Sequence, residues 1–205
     1  MAYILGFFCA DGAMTINPRG SHYIEFQNTE PGLLEKFAST ISSANKVSKR
    51  RRNKNWKTSY RLQMGSKQMF KDLVNLGLRP RKADRLALPP VPKKYFKDFV
   101  RGYFDGDGTV WQGNQHKNDR KNSTHILRVR FTSASKEFLS SLAQRLKKEA
   151  SLKSRISLLF YGSAHRLCYG ARDSMTLYNF MYRPNDLLFF PRKKNIFKKF
   201  IERFT

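Results

Sequence analysis

The segment "ILGFFCADG" at residues 4–12 returns as "VRGYFDGDG" at residues 100–108. Both read apolar, any residue, Gly, aromatic, Phe, any residue, small, Asp, Gly. Two further pairs follow in the same order, "RLQMGS" (61–66) with "RLCYGA" (166–171) and "RPRKADRL" (79–86) with "FPRKKNIF" (190–197). Three ordered matches mean that one unit is written twice, in copies of roughly 90 to 100 residues, too long for a solenoid repeat. The chain must therefore fold as a duplicated domain.

Each copy carries the same pattern. An apolar helix ends at the Asp-Gly pair, and two strands follow: "AMTINP" and "HYIEFQN" in the first copy, "TVWQG" and "HILRVRFTS" in the second. Ile24 and Phe26 alternate with Glu25 and Gln27, and Leu127, Val129 and Phe131 with Arg128 and Arg130, so each strand has one core face and one polar face. A helix is expected over 30–44 and over 135–150, the latter opened by Ser135 and striped by Phe138, Leu139, Leu142 and Leu146. A second hairpin comes next ("KVSKRRR" with "SYRLQMG", "RISLLFYG" with "HRLCYGA"), then a short helix (66–76 and 173–182). The Pro-rich "LPPVP" (88–92) is no helix interior and serves as a linker. The expected division is 1–87, a linker at 88–93, and 94–205. A helix at 194–204 and the polar stretch 113–124 have no counterpart in the first copy.

Charge narrows the partner. Lys and Arg number 40 against 15 Asp and Glu, a formal net charge of +25. A folded chain that repels itself this strongly calls for a polyanion, nucleic acid before an anionic membrane surface. Aromatic residues make up 14%, which argues against disorder. Cys9 and Cys168 form no CxxC, and His22, His116, His125 and His165 show no metal-ligand spacing. A structural zinc or a disulfide framework is not expected, and a reducing compartment fits. No stretch approaches the ~20 apolar residues of a membrane span, and "MAYILGFFCADG" lacks a basic leader region. The expected setting is intracellular: cytoplasm or nucleoid, or an organelle matrix.

Acids are scarce in such a chain, so the repeated Asp-Gly needs a reason. A calcium loop counted from Asp105 would need Gly at its sixth place and Glu at its twelfth, where Val110 and His116 stand. A lone Asp-Gly after a helix is an ordinary C-cap with a left-handed glycine. Here it occurs twice at matching places, and a carboxylate at a helix C-terminus is unfavourable by roughly 0.3–1 kcal/mol without a nearby cation. Gly6 with Ala10, and Gly102 with Gly106, put small residues on one face of each helix. Two such helices can pack closely and bring Asp11 and Asp107 together. Such a pair repels itself unless a proton or metal lies between them, and an all-oxygen site suits Mg²⁺ or Mn²⁺.

The two segments resemble the signature of the LAGLIDADG homing endonucleases, in the monomeric form with both motifs on one chain. The resemblance covers nearly the whole sequence and implies an α+β fold: a duplicated αββαββα unit, two pseudo-two-fold related halves with saddle-shaped antiparallel sheets, and a central two-helix interface. It implies that Asp11 and Asp107 are the metal-binding carboxylates, with the carbonyls of Ala10 and Gly106 as further ligands, and that Ca²⁺ binds without supporting cleavage. Cys9 stands where the second copy has Asp105, at a motif place the family does not use for metal, so Asp105 is expected to be structural. Lys82 and Lys193, in the two "PRK" segments, match the polar residue that family members place near the reacting phosphate; their alternative is phosphate contact among many lysines.

The implied activity is hydrolysis of both strands of a long, non-palindromic DNA target with a short staggered end. Strand-face residues expected to read bases are Glu25, Gln27, Ser48, Arg50, Ser59, Arg61 and Gln63 in the first copy, and Arg128, Arg130, Thr132, Arg155 and Arg166 in the second. The basic run "KVSKRRRNKNWK" (46–57) would track phosphates, and Trp56 or Trp111 would touch bases or sugars. Two other readings stay open: an RNA-binding intron maturase, with intron RNA as partner, and a catalytically silent DNA-binding protein on the same scaffold.

Overall fold

A computed structural model describes residues 1–50, 57–80, 84–116 and 122–204. Elements of the first half are α1 (Ala2–Asp11), β1 (Gly12–Ile16), β2 (His22–Asn28), α2 (Pro31–Thr40), β3 (Ser48–Arg50), β4 (Ser59–Gly65) and α3 (Lys67–Asn75). The second repeats them as α4 (Lys93–Asp107), β5 (Gly108–Gln115), β6 (Thr124–Ser133), α5 (Lys136–Glu149), β7 (Ser157–Tyr161), β8 (Ala164–Tyr169) and α6 (Ala171–Met181), then adds α7 (Pro191–Glu202). Two antiparallel four-stranded sheets result, ordered β1-β2-β4-β3 and β5-β6-β8-β7. Their identical order is the duplication expressed as topology.

Local chemistry sets the element ends. The hydroxyls of Ser66 and Ser135 accept from the amides of Met69 and Phe138, satisfying donors that the first helical turn leaves open. Glu137 in the first turn of α5 and Lys147 and Lys148 in its last match the helix dipole. The helix expected over 30–44 stops at Thr40, because Ser42 adopts a left-handed conformation (φ 51°) that ends it. Alternate strand residues supply the core: Ile24, Phe26, Leu62 and Met64 in one half, Leu127, Val129, Phe131 and Leu167 in the other, all buried. Phe37 meets Tyr3, Phe7 and Phe26 edge-on, and Phe131 receives Phe104 in the same manner.

Between the halves, α1 packs on α4 through glycine. A Cβ on Gly6 would strike the carbonyl oxygen of Phe99 and lie 2.8 Å from the Tyr103 nitrogen. A Cβ on Gly102 would strike the carbonyl oxygen of Tyr3 and lie 3.0 Å from the Phe7 nitrogen. Tyr3, Gly6 and Phe7 thus correspond to Phe99, Gly102 and Tyr103, so the contact is reciprocal, as a two-fold relation requires. One turn further on, Ala10 packs against Gly106. All four small residues expected at the interface lie in it.

The Asp-Gly pairs are not left-handed caps. Gly12 and Gly108 are extended, with φ of −81° and −82°, and begin β1 and β5 directly. Glycine is needed for space instead: a Cβ there would enter the ring of Phe8 or of Phe104. The helix therefore passes into the strand without a turn, and the aspartate sits at the junction.

Candidate metal centre and nucleic-acid face

Asp11 and Asp107 end α1 and α4 at the same end of the packed pair. The Asp11 Oδ2 lies 3.5 Å from the place a Cβ of Gly106 would take, so this carboxylate reaches across the seam to the other motif. Both aspartates also favour the protonated form of the same two groups, Lys193 and Tyr103, behind the larger effect of burial. Asp11 is exposed and Asp107 half-buried. Among the described residues no group of three His, Cys, Asp or Glu side chains is placed to share a metal. The donors available are the two carboxylates and backbone carbonyls at the helix ends, an all-oxygen set that suits a hard divalent cation completing its shell with water and phosphate.

Asp105 does something else. It is 2% exposed and accepts from Tyr3 Oη (2.7 Å), Tyr182 Oη (3.2 Å) and the Phe190 amide (2.8 Å). Burial pushes its carboxyl above the usual range, against the pull of these donors and of Lys193. It is the structural residue expected, joining α1, α4 and the segment that leads into α7. Arg101 adds a second tie, donating to the carbonyls of Leu188 (2.9 Å) and Met181 (2.7 Å) and pairing with Asp98 and Asp186.

Lys193, expected near the reacting phosphate, is engaged by backbone. Its Nζ donates to the carbonyls of Phe104 (2.7 Å), Asp105 (2.8 Å) and Gly108 (2.6 Å) and lies 3.4 Å from that of Gly106, and the residue is 8% exposed. An ammonium has three N–H donors, and all are taken by the C-terminal turn of α4. This is the cation that a carboxylate-bearing helix end calls for. Burial lowers its pKa to about 8, against the opposing attraction of Asp105, Asp11 and Asp107. Lys82 and Trp56 lie outside the described residues, as do 51–56 of the basic run.

On the first sheet, Glu25 stands opposite Gln63, Gln27 opposite Arg61, Ser48 opposite Arg61, and Arg50 opposite Ser59, so all seven expected residues share the face turned from the core. Their roles divide. Glu25 takes Arg50 Nη1 at 3.0 Å and Arg61 Nη1 at 3.5 Å, so its carboxylate holds both guanidinium groups. Ser48 and Ser59 donate to the carbonyls of Arg61 and Arg50. Among the described residues the buried Arg61 Nε has no acceptor.

On the second sheet Arg128, Arg130, Thr132 and Arg166 share one face, with Thr132 opposite Arg166 and Trp111 opposite Arg128. Arg155 is not on a strand; β7 begins only at Ser157, and Arg155 is exposed in the loop before it. Sequence reasoning missed Leu159 and Tyr161, which lie on this face because they pair with Arg166 and Ala164. The alternation in "SLLFY" is legible only once the register is known, since every residue but the first is apolar or aromatic. The Arg101, Tyr182 and Phe190 contacts were equally hidden, as nothing local marks their long-range partners.

The family model of the LAGLIDADG-like domain matches residues 1–76 and again 97–169. The replication factor C small subunit of Thermococcus kodakarensis (strain ATCC BAA-918 / JCM 12380 / KOD1) is 28% identical over 110 residues, which are 54% of this chain but 12% of that protein. The meganuclease I-SmaMI bound to uncleaveable DNA superposes with a TM-score of 0.66 at 11% identity, covering 98% of this chain and 87% of that one. The I-LtrWI LAGLIDADG homing endonuclease bound to target DNA gives 0.67 at 11% identity, over 99% and 88%. I-SmaMI is also known bound to an uncleaved target in the presence of calcium ions (TM-score 0.59, 11% identity, 87% and 82% covered). The family model finds its domain on both sides of the glycine seam, and the whole two-sheet fold superposes on such endonucleases: the chain belongs to the LAGLIDADG family, in the form that carries two motif copies on one polypeptide.

Proposed function

We propose that the chain is a site-specific endonuclease that hydrolyses both strands of double-stranded DNA at a long, non-palindromic target, acting as a monomer with Mg²⁺ or Mn²⁺. The observation that carries this reading is the convergence of Asp11 and Asp107, one from each half, in a chain of net charge +25. A protein that only bound a polyanion would gain nothing from two carboxylates brought together.

Asp11 and Asp107 would hold the metal, with the Ala10 and Gly106 carbonyls beside them. Bound there, a divalent ion lowers the pKa of water and offsets charge on the scissile phosphate. The chain's own part is positional. The glycine seam fixes the separation of the two acids, and Lys193 holds the last turn of α4 so that Asp107 stays at its junction. We assign Lys193 as a positioning residue, and Lys82 remains the candidate for direct phosphate contact. With one acid from each half, the site addresses both strands, while Gln27, Arg50, Arg61 and Gln63 on one side and Arg128, Arg130, Thr132 and Arg166 on the other carry sequence recognition. The halves divide at the linker 88–93.

The test is cleavage of a plasmid library carrying a randomised insert, in Mg²⁺. Linear molecules that share one non-palindromic sequence support the reading; no linearisation with either Mg²⁺ or Mn²⁺ refutes it.

A further inference from the structure

We propose that the outer strand of the second sheet recognises thymine methyl groups through Leu159 and Tyr161, so that the two halves read DNA by different chemistry. The inference rests on the DNA-binding reading above. Arg61 on β4 and Arg166 on β8 hold equivalent places: each pairs with the neighbouring inner strand, at Gln27 and Thr132, and with the outer strand. On β3 the outer residues are Ser48, opposite Arg61, and Arg50, opposite Ser59. On β7 they are Leu159, opposite Arg166, and Tyr161, opposite Ala164. A serine and an arginine are thus replaced by a leucine and a tyrosine.

These side chains are not core residues in disguise. Leu159 is 55% and Tyr161 67% exposed, whereas Leu158, on the other face of the strand, packs against the core. An exposed apolar edge strand is a liability that folded proteins normally blunt with charge, and β7 itself carries none. The charge comes from its neighbour: the Arg166 guanidinium lies over the Tyr161 ring, 4.2 Å from its centre. An apolar pair beside arginines, on the face that also holds Arg128 and Arg130, fits a ligand that is anionic at its rim and apolar at its reading edge. In the major groove of B-DNA only thymine offers a methyl group. Among the described residues β3 carries no such pair, and Arg50 and Arg61 of the first half are held by Glu25, as suits contacts to guanine.

The experiment selects randomised duplexes with the wild-type protein and with a double variant, Leu159→Ser and Tyr161→Arg, which installs the residues of the first half. The wild type should enrich thymine at outer positions of one half-site, and the variant should lose that preference while selecting the other half-site unchanged. Replacing those thymines by deoxyuridine in the selected duplex should weaken wild-type binding about fourfold per methyl group removed. Absence of thymine enrichment, equal binding of the deoxyuridine duplex, or an unchanged sequence selected by the variant (as expected if the strand serves a protein partner) overturns the inference and leaves the endonuclease reading standing. Enrichment of no duplex at all by the wild type overturns both.

Discussion

The two acids of "DGDG", separated by one glycine, have opposite roles. Asp105 is enclosed by three donors, so Asp105→Ala would orphan two tyrosine hydroxyls and a backbone amide. At about 1 kcal/mol or more for each, the expected loss is on the order of 3 kcal/mol of folding stability, readable by urea denaturation. Asp11→Asn, at an exposed place, should change stability by less than about 0.5 kcal/mol. The same region sets an alkaline limit. Burial, and then Asp105, raise Tyr3 and Tyr182 well above the usual tyrosine range. Above roughly pH 10 the unfolded chain releases these protons while the folded chain keeps them, so stability falls as pH rises. Lys193 acts in the opposite sense between about 8 and ~10.4, where the folded chain loses its proton first and stability rises. Thermal melts against pH should therefore climb and then drop, and Tyr182→Phe should soften the drop. The sequence separated Asp105 from Asp107 because the first copy has Cys9 at the matching place; it could not reveal Lys193 as a cap, since that role depends on carbonyls far along the chain.

At the scale of elements, the seam between α1 and α4 carries the site. Gly6→Ala or Gly102→Ala places a methyl on a carbonyl oxygen of the opposite helix. Backbone cannot move aside as a flexible side chain can, so each change should cost at least about 1–3 kcal/mol and part the two aspartates, slowing cleavage more than binding. Gly32, in α2, has nothing within 4 Å of the place a Cβ would take, and Gly32→Ala should stabilise by about 0.4–1 kcal/mol. Differential scanning calorimetry on the three variants distinguishes seam glycines from a spare one. Helix faces and strand alternation were legible because periodicity records which residues are buried. The extended Gly12 and Gly108 were not, because Asp-Gly after a helix reads as a turn unless the rings of Phe8 and Phe104 are seen to fill the space.

For the whole molecule, duplication and charge together imply a two-armed cation around a polyanion. The repeat alone was enough to expect matching sheets with a helix pair between them, since two copies of one unit bury their apolar helices best against each other. Asymmetry was legible only in part: the added α7 stood out as a helix with no counterpart, whereas the loop placement of Arg155 and the apolar face of β7 depend on register. Phosphate contacts by the basic faces should make binding steeply salt-dependent, with a loss of roughly a thousandfold between about 50 and 200 mM salt if six or more phosphates are neutralised. The claim on which all of this turns is that Asp11 and Asp107 form one composite centre. It is tested by single-turnover cleavage of a selected duplex in Mg²⁺, at saturating protein, by the wild type, Asp11→Asn and Asp107→Asn. The prediction is undiminished DNA binding with cleavage of both strands slowed by about a thousandfold or more in each variant; wild-type cleavage by either variant would contradict it.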